Sequence, residues 1–428
     1  VLEPLKWNGV TWNSQLTVEN DFPSGVVNLR VSGATDAKGN RMEEHFAKAL
    51  FSIDAELPQM IAGDPQPGAE NIVAGPSTVT MTFSEPLDLK TVSAENFTLR
   101  RGTELQLLLT DPTTDESGTT VILVPEESLR PGSDYLVEIS ASIRDRAGNR
   151  PSDAILWAFK TEIPSIDVRI PAAEASIAAE QIARLSAQFS AVVDLSFLTE
   201  NSSEIVSIFR EDQYLTLKEA PVFDSNNNTL SFIVDGGLLP GSRYRVEVDG
   251  YLAGPLRASG LGDFVWEFET VIPGLLSTNP APNTEASSYI IEAVFDGGID
   301  ESALFADESV QVFREGAKQP ITNIQYDSGA KTLRFEIEGG LKPGAHYQVR
   351  LGGVLGGPLR VLSEGDYSWE FNTPVPQLSS TVRAMPKSTH KSRACLALVR
   401  PPNLEILMFT TSMASSPWAR RKMGRPSI

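Results

Sequence analysis

The feature that most constrains this chain is a set of landmarks that recurs three times along its 428 residues. A Leu-x-Pro-Gly-x-x-Tyr-x-Val segment begins at Leu129, Leu238 and Leu341, and its prolines are 109 and 103 residues apart. A Trp-x-Phe-x-Thr segment follows each of them, beginning at Trp157, Trp266 and Trp369. Solenoid repeats span only about 20 to 50 residues. Units of the length seen here therefore predict separate domains, each with its own core.

Each unit reads as a succession of short strands. Val79 to Phe83 and Thr120 to Val124 alternate apolar and polar residues, as half-buried strands do. Phe83, Phe189 and Phe295 stand 106 residues apart, which predicts one inward aromatic side chain on an early strand of every unit. Short helical turns are expected, for example near 88–95 and 301–305, and no long helix is predicted. The predicted fold is all-β, with tandem immunoglobulin-like β-sandwich domains arranged as beads on a string.

Prolines mark the predicted domain boundaries. Each Trp-x-Phe strand is followed by a proline that ends the strand and stiffens a short linker, at Pro164, Pro273 and Pro376. Asp36 to Asn40 matches Asp145 to Asn149, 109 residues later, so the first residues read as the end of an earlier unit. The predicted organisation is a partial domain at 1–55, sandwiches at 56–164, 165–273 and 274–376, and a tail at 377–428.

The tail differs in composition from the rest of the chain. It has nine Lys or Arg against one acidic residue, Glu405, so its formal charge is +8 and the preceding residues carry −27 of the overall −19. It holds the only cysteine, Cys395, and none of the landmarks. We predict that it is disordered. It is interpreted either as a basic arm for an anionic partner or as an out-of-frame gene end that is not native protein.

Overall composition excludes several classes of protein. A net charge of −19 disfavours nucleic-acid binding, which needs clustered Lys and Arg. A single cysteine rules out an intrachain disulfide, and no apolar run approaches the roughly 20 residues that span a bilayer. The chain begins with Val1 and shows no signal peptide, so we interpret it as a fragment or processed form. The acidic surface predicts a monomer.

An ordered series of motifs resembles a known family. The series is Thr82 to Asp88 (TFSEPLD), Asn96 to Leu99 (NFTL), Leu129 to Tyr135 (LRPGSDY), Asp145 to Asn149 (DRAGN) and Trp157 to Phe159 (WAF). It is similar to the bacterial Ig-like domain associated with S-layer proteins. The resemblance is strong for 57–164. It implies spacer or adhesive arrays outside the cell, often attached to enzymes or binding modules, and it supplies no catalytic residue.

The two later units carry the resemblance more weakly. They keep the Pro-Gly-x-x-Tyr and Trp-x-Phe landmarks but lose the Ser-Glu-Pro and Asp-x-x-Gly-Asn segments. In their place they share Gly-Pro-Leu-Arg, at Gly254 to Arg257 and Gly357 to Arg360.

The recurring aromatic residues favour packing over ligand binding. Tyr135, Tyr244 and Tyr347 each follow Pro-Gly by the same step, which predicts a tyrosine corner whose hydroxyl bonds to nearby backbone. The three tryptophans recur at one strand position, which favours a core role over a sugar-stacking platform.

Two loops are candidate calcium sites, because calcium binds carboxylate, amide and carbonyl oxygens. Their candidate ligands are Asp36, Asn40, Asp145 and Asn149. The alternative is a simple turn, in which Asp and Asn bond their own backbone and glycine adopts positive φ. Asp115 and Glu116 are a weaker candidate pair. No other cofactor is predicted.

Catalysis is not predicted. His45, His346 and His390 occupy non-equivalent places and none adjoins a Gly-x-Ser-x-Gly segment. We expect no polar constellation confined to one unit. The predicted function is a non-catalytic spacer or stalk of an extracellular or cell-surface bacterial protein. The alternatives are an adhesive module that binds glycan or protein, and an accessory region of a larger secreted hydrolase.

Overall fold

The computed structural model describes residues 6–7, 11–15, 17, 23–202 and 204–377. The chain divides into two compact units. One comprises Val1–Gly274, Asp296–Asp300 and Gly353–Gly365, and the other comprises Leu275–Phe295, Glu301–Gly352 and Asp366–Ile428. Within the described residues no helix is long and apolar enough to cross a membrane.

The N-terminal part contains two small antiparallel pairs: β1 (Lys6–Trp7) with β2 (Trp12–Asn13), and β3 (Gly25–Val31) with β4 (His45–Ile53). The β3–β4 pair forms a two-stranded sheet. Its side chains are largely exposed, with Val26 at 60% and Leu50 at 52%. A two-stranded sheet has no second layer against which to bury its faces.

The first repeat (56–164) folds into two antiparallel four-stranded sheets, ordered β5-β6-β10-β9 and β12-β11-β7-β8. Apolar residues alternate inward on facing strands, as in Val79, Met81 and Phe83, and form a closed core between the sheets. The strands are β5 (Met60–Asp64), β6 (Val79–Phe83), β7 (Phe97–Arg101), β8 (Glu104–Gln106), β9 (Thr113–Thr114), β10 (Thr120–Leu123), β11 (Asp134–Ile139) and β12 (Ile155–Lys160).

The second repeat (165–273) repeats this architecture with sheets β13-β15-β19-β18 and β14-β21-β20-β16-β17, in which β14 runs parallel to β21. Its buried core draws only on residues between Ile166 and Phe268. The strands are β13 (Ile166–Ile170), β14 (Ser176–Ile177), β15 (Leu185–Phe189), β16 (Val206–Arg210), β17 (Gln213–Leu215), β18 (Val222–Asp224), β19 (Thr229–Phe232), β20 (Arg243–Val248) and β21 (Phe264–Thr270). The helices are α1 (Leu195–Glu200) and α2 (Pro255–Gly260).

The third repeat (274–376) contributes sheets β22-β23-β27-β26 and β25-β24-β28-β29. Its strands are β22 (Leu275–Asn279), β23 (Ile290–Phe295), β24 (Val310–Arg314), β25 (Ala317–Gln319), β26 (Ile321–Asp327), β27 (Thr332–Ile337), β28 (His346–Leu351) and β29 (Tyr367–Asn372). A short helix, α3 (Pro358–Ser363), follows β28.

The predicted fold class is correct: the described chain is built from tandem immunoglobulin-like β-sandwiches. Phe83, Phe189 and Phe295 are 1–2% exposed, as their common spacing predicts. The predicted helical turns are single 3-10 turns at Leu89–Thr91 and Glu301–Ala303. The domain boundaries stay predictions. The predicted disorder of 377–428 concerns residues that, from 378 onward, lie outside the described part of the chain.

Candidate functional site

Each repeat carries the predicted tyrosine corner. The hydroxyl oxygen of Tyr135 accepts a hydrogen bond from the backbone N–H of Arg130 at 2.8 Å. Tyr244 and Tyr347 accept the equivalent bond at 2.7 Å. All three rings are fully buried, and burial raises the pKa of Tyr135 and Tyr244 above the ordinary tyrosine value. These hydroxyls therefore fix the backbone of the Pro-Gly segment and do not serve as reactive groups.

A threonine completes each corner. The Thr161 hydroxyl accepts from the Ser133 N–H at 2.9 Å and donates to the Arg130 carbonyl at 2.7 Å. Thr270 and Thr373 make the same two bonds in the later repeats. The threonine of Trp-x-Phe-x-Thr thus ties the end of the last strand to the Pro-Gly segment, which explains why the two landmarks recur together.

The recurring tryptophans lie in the cores. Trp157, Trp266 and Trp369 are only 4–5% exposed. Sugar stacking requires an open aromatic face, so this burial supports the predicted packing role.

One cluster of acidic side chains is confined to the first repeat and the segment before it. Oxygens of Asp54, Glu85 and Asp145 all lie within 4.8 Å of one another. Asp145 is 1% exposed, and one of its oxygens accepts the N–H groups of Gly148 at 2.6 Å and Asn149 at 2.8 Å. The Asn149 amide donates to the other Asp145 oxygen at 2.7 Å and to the Asp54 carbonyl at 3.1 Å.

The cluster changes the acidity of Glu85. Burial, followed by the negative charge of Asp145 and a hydrogen bond to it, raises the pKa of Glu85 to about 7. Near neutral pH this carboxyl is therefore partly protonated, because a third negative charge beside Asp54 and Asp145 is unfavourable. Oxygen ligands held this close are of the type that a hard divalent cation prefers.

The structure separates the two predicted calcium loops. Asp145 and Asn149 join the cluster, whereas Asp36 and Asn40 form an exposed turn of their own. There the Asp36 carboxylate accepts from the N–H groups of Lys38 and Asn40 at 2.9 Å, and from the Asn40 amide at 2.9 Å. The Asn40 side-chain bond, with those backbone bonds, lowers the pKa of Asp36. These are the contacts of the turn alternative.

Asp115 also lies in a turn. Its carboxylate accepts from the Ser117 hydroxyl and from the backbone of Thr119 and Thr120, at 2.8–3.1 Å. These hydrogen bonds, that from the Thr120 backbone foremost, lower its pKa.

The expectation that no polar constellation singles out one part of the chain is wrong, because among the described residues this three-carboxylate cluster occurs at the first repeat and has no counterpart in the later ones. Glu85 and Asp54 were missed because they are remote in sequence from Asp145. A signal was nevertheless present: the Ser-Glu-Pro segment that contains Glu85 and the Asp-x-x-Gly-Asn loop are lost together from both later repeats. Joint loss is what a physical contact between two segments produces.

The Gly-Pro-Leu-Arg motif of the second repeat forms a joint with the first. Gly254 caps the start of α2, and the Leu256 N–H donates to the Gly132 carbonyl at 2.9 Å. A Cβ added at Gly254 would lie 2.0 Å from the Pro131 oxygen, and one added at Gly132 would lie 2.1 Å from the Ala253 oxygen. Gly254 has φ 92° and ψ 168°, a region open essentially only to glycine. Two backbones approach this closely because neither glycine has a side chain.

The same backbone contact recurs at the second Pro-Gly segment, within the same compact unit. The Leu359 N–H donates to the Gly241 carbonyl at 2.8 Å. A Cβ added at Gly357, which has φ 88°, would lie 2.0 Å from the Pro240 oxygen. We call the pairing of a Pro-Gly corner with a Gly-Pro-Leu segment the glycine joint.

An ion pair accompanies the first glycine joint. Arg130 Nη1 lies 3.7 Å from Asp194 Oδ2, and the Asp194 side chain is only 8% exposed. Asp194 also caps α1, accepting from the N–H groups of Ser196 at 3.0 Å and Phe197 at 3.1 Å.

Comparison with solved structures finds resemblances at low sequence identity. One is CopC from Methylosinus trichosporium OB3b, with 15% identity over 24% of this chain and 93% of CopC, and a TM-score of 0.21. The S-layer protein rSbsC(31-844) has 10% identity over 76% of this chain, with a TM-score of 0.21, and the chain spans 55% of its length. The I9-I11 tandem from titin has 8% identity over 74% of this chain and 100% of the tandem, with a TM-score of 0.28.

Comparison with protein sequences gives a family. No curated protein matches the chain. The family model described as "Bacterial Ig-like domain" matches residues 54–161 and 269–373. The first match covers the tyrosine corner of the first repeat and the whole acidic cluster, and the second covers the tyrosine corner of the third repeat. Residues 54–161 and 269–373 therefore belong to the bacterial Ig-like domain family, and the described chain around them is a tandem array of Ig-like β-sandwiches.

Proposed function

We propose that this chain is a non-catalytic spacer of an exported bacterial surface or secreted protein, in which the first two Ig-like sandwiches are coupled by a glycine joint. The observation that carries the proposal is the backbone hydrogen bond between Leu256 and Gly132. A flexible string of beads needs no such contact. A spacer that holds a fixed length or transmits force does need such a contact, because the linker alone leaves adjacent domains free to reorient.

The chemistry of the repeats supports the same proposal. The tyrosine hydroxyls and threonines that recur are satisfied by local backbone, and the recurring tryptophans are buried. These groups stabilise the corner that the next repeat contacts. The extracellular setting is proposed from the family to which the matched regions belong.

Distance measurements between spin labels test the spacer proposal. Labels at Glu116→Cys and Ser225→Cys, in a Cys395→Ser background, would report the distance between the first two sandwiches of the full chain. We expect one narrow distance distribution. Gly254→Val should broaden it, whereas Gly236→Val, at a positive-φ glycine with open space around it, should not. A broad distribution in the parent chain would contradict a coupled spacer.

A glycan array separates the spacer from an adhesive module. The full chain should show no saturable binding. Specific binding at micromolar strength would instead favour the adhesive alternative, in which loops or exposed strand edges recognise glycan or protein.

We further propose that Asp145 and Asn149, joined by Asp54 and Glu85, form a calcium site. The support is the 4.8 Å grouping of carboxylate oxygens. Millimolar calcium should raise the melting temperature of the first sandwich, and Asp54→Asn should abolish the rise. Asp36→Asn, in the exposed turn, is the matched control and should leave it unchanged. An equal response of parent and Asp54→Asn proteins would refute the site.

A further inference from the structure

Two arginine side chains of the second repeat lie against neighbouring aromatic rings of one strand. Arg257, the last residue of the Gly-Pro-Leu-Arg segment, has its Cζ 3.5 Å from the centroid of the Phe264 ring. Arg169, on β13, has its Cζ 5.9 Å from the centroid of the Trp266 ring. Phe264 and Trp266 are both buried and stand two residues apart on β21, so they point to the same face of the strand. The two guanidinium groups are therefore neighbours.

These guanidinium groups form no ion pair with a carboxylate of the described residues. Nε of Arg169 and Nε of Arg257 are buried donors for which that part of the chain provides no acceptor. Burial, and then the positive charge of Arg169, lower the pKa of Arg257. The Asp263 carboxylate attracts Arg257 but accepts a hydrogen bond from the Gly250 N–H, at 2.9 Å. Two adjacent positive charges without a counterion are unfavourable, and a bound anion would relieve them.

The third repeat shows how the same motif neutralises its arginine within the fold. Arg360 stands at the position of Arg257 and forms an ion pair with Glu364, one helical turn later. In the second repeat the residue four positions after Arg257 is Leu261, which is 66% exposed. The second repeat therefore lacks the carboxylate that this motif supplies for itself in the third.

The other arginine is also specific to the second repeat. Arg169 has the strand register that Gly63 has in the first repeat and Thr278 has in the third. Relative to the third repeat, Leu261 in place of a glutamate and Arg169 in place of a threonine each add one positive charge, so the local difference is +2. The second repeat thus concentrates positive charge at a place where its relatives have none or balance it.

The arginine pair lies at an accessible edge of the sandwich. β13 is the edge strand of its sheet, and β14 pairs with β21 only at Glu269 and Thr270, beyond the two stacked rings. Both arginine side chains are half-buried, so the outer edge of each guanidinium stays accessible although Nε is buried. Stacking on an aromatic face holds a guanidinium in a fixed orientation. The two groups are therefore oriented before any ligand arrives.

We infer that Arg169 and Arg257 form a binding site for a phosphate dianion. Guanidinium groups match the geometry of phosphate oxygens, and one dianion neutralises both positive charges, whereas a carboxylate neutralises only one. A free phosphate ion and the terminal group of a phosphomonoester share this chemistry. The chain carries a net charge of −19, which opposes the approach of anions, so we expect a Kd on the order of 0.1–1 mM. The site is independent of the proposed spacer function.

NMR of the full chain, labelled with ¹⁵N in arginine, tests the site. The Nε–H groups of Arg169 and Arg257 are buried, so their signals should be protected from exchange with water. The loss of one signal in Arg169→Gln, and of the other in Arg257→Lys, assigns them. Inorganic phosphate, added at constant ionic strength and about pH 8 where it is a dianion, should shift both signals with saturation. Acetate, a monoanion, should bind at least about tenfold more weakly.

Two variants remove the site in different ways. Arg169→Gln should weaken phosphate binding at least about tenfold, followed on the Arg257 signal. Leu261→Glu places a carboxylate where the third repeat has Glu364, and it should weaken binding by a similar factor without removing an arginine. Because Leu261 is exposed, this variant should fold as the parent does, and circular dichroism checks both variants.

Matched controls change charge elsewhere in the same sandwich. Arg184→Gln removes an arginine that pairs with Glu219 at 2.9 Å, and Val222→Glu adds a carboxylate at a position that is 54% exposed. Both should leave phosphate binding unchanged.

Glycerol phosphate distinguishes the two sources of the dianion. An affinity equal to that of inorganic phosphate supports the terminal group of a larger molecule, and a much weaker affinity supports the free ion. The inference would be overturned by the absence of saturable shifts up to about 10 mM phosphate, or by equal affinities for phosphate and acetate. Phosphate binding that neither Arg169→Gln nor Leu261→Glu weakens would overturn it as well.

Discussion

In the first and second repeats, the loop that follows the strand of the recurring tyrosine is held by an equivalent backbone hydrogen bond. The residues of the two loops differ. In the first repeat it is the Asp-x-x-Gly-Asn turn, and the Asp88 N–H donates to the Arg144 carbonyl at 2.8 Å. In the second it is a 3-10 turn followed by α2, and the Asp194 N–H donates to the Leu252 carbonyl, also at 2.8 Å. Both loops reach the part of the chain that precedes their own sandwich.

The difference shows how one position can build two kinds of contact. The first loop brings Asp145 to Asp54 and Glu85, so its contact is polar and sensitive to pH and cations. The second brings Gly254 and Leu256 to Gly132, so its contact depends chiefly on the absence of side chains, and charge enters through the Arg130–Asp194 pair beside it. We expect the two loops to respond to different perturbations.

The largest expected effect comes from adding a side chain to the second loop. Gly254→Val cannot adopt the native backbone angles without strain, and its Cβ would overlap the Pro131 oxygen. We expect a loss of about 2–3 kcal/mol in the stability of the joint, from backbone strain and the lost hydrogen bond. Hydrogen exchange should show a fall in protection of roughly 30- to 160-fold at the Leu256 amide. Unchanged protection at the Leu256 amide would contradict the claim that the contact of the second loop depends on the absence of a side chain at Gly254. Gly236→Val is the control.

The second-largest expected effect comes from removing one negative charge from the acidic cluster that the first loop joins. Glu85→Gln removes the carboxylate that is crowded by Asp145 and Asp54. Above pH 7 we expect it to stabilise the first sandwich by roughly 1–2 kcal/mol, a value reduced from the full linkage for solvent screening. Glu95→Gln, at an exposed glutamate of the same sandwich, should have no such effect in urea unfolding. Destabilisation by Glu85→Gln at pH 8 would contradict the repulsion that we describe.

The pH dependence of unfolding of the parent protein is a second test of the acidic cluster. The folded pKa of Glu85, about 7, lies above its ordinary value of 4.5, so the folded state binds this proton more tightly than the unfolded state does. The stability that the folded state gains from binding this proton at Glu85 is complete below pH 4.5 and is lost as the pH rises through about 7. Unfolding measured with a probe in the first sandwich should show this loss, and Glu85→Gln should remove it. A loss of the same size in the variant would point to other groups.

The smallest effect concerns the ion pair at the first glycine joint. Arg130→Met keeps most of the packing volume but removes the charge that lies 3.7 Å from Asp194. We expect the joint to lose about 0.5–1 kcal/mol, read as increased exchange at Leu256 and suppressed by high salt. Glu127→Gln, which removes the other partner of Arg130, is the control and should leave the joint intact. An effect of Arg130→Met that high salt leaves unchanged would assign the change to packing.

Sequence periodicity anticipated much of the fold because the corner and the core depend on local spacing. Tyr135 reaches the backbone only five residues away, so its role follows from Pro-Gly-x-x-Tyr alone. Phe83 and its equivalents alternate with polar residues on short strands. The acidic cluster was only half anticipated, since Asp145 stands in a recognisable loop but Asp54 lies 91 residues before it.

By itself the sequence determined the repeated β-sandwich fold, its aromatic cores and the tyrosine corners, because repeated spacing along the chain records contacts that each repeat makes within itself. Only the tertiary structure decided what Gly-Pro-Leu-Arg does and where charge accumulates. Gly254 meets Gly132, 122 residues earlier, and Glu85 meets Asp145 across two loops. Such contacts depend on how folded units bring distant backbone together, and no local pattern of residue types encodes that distance.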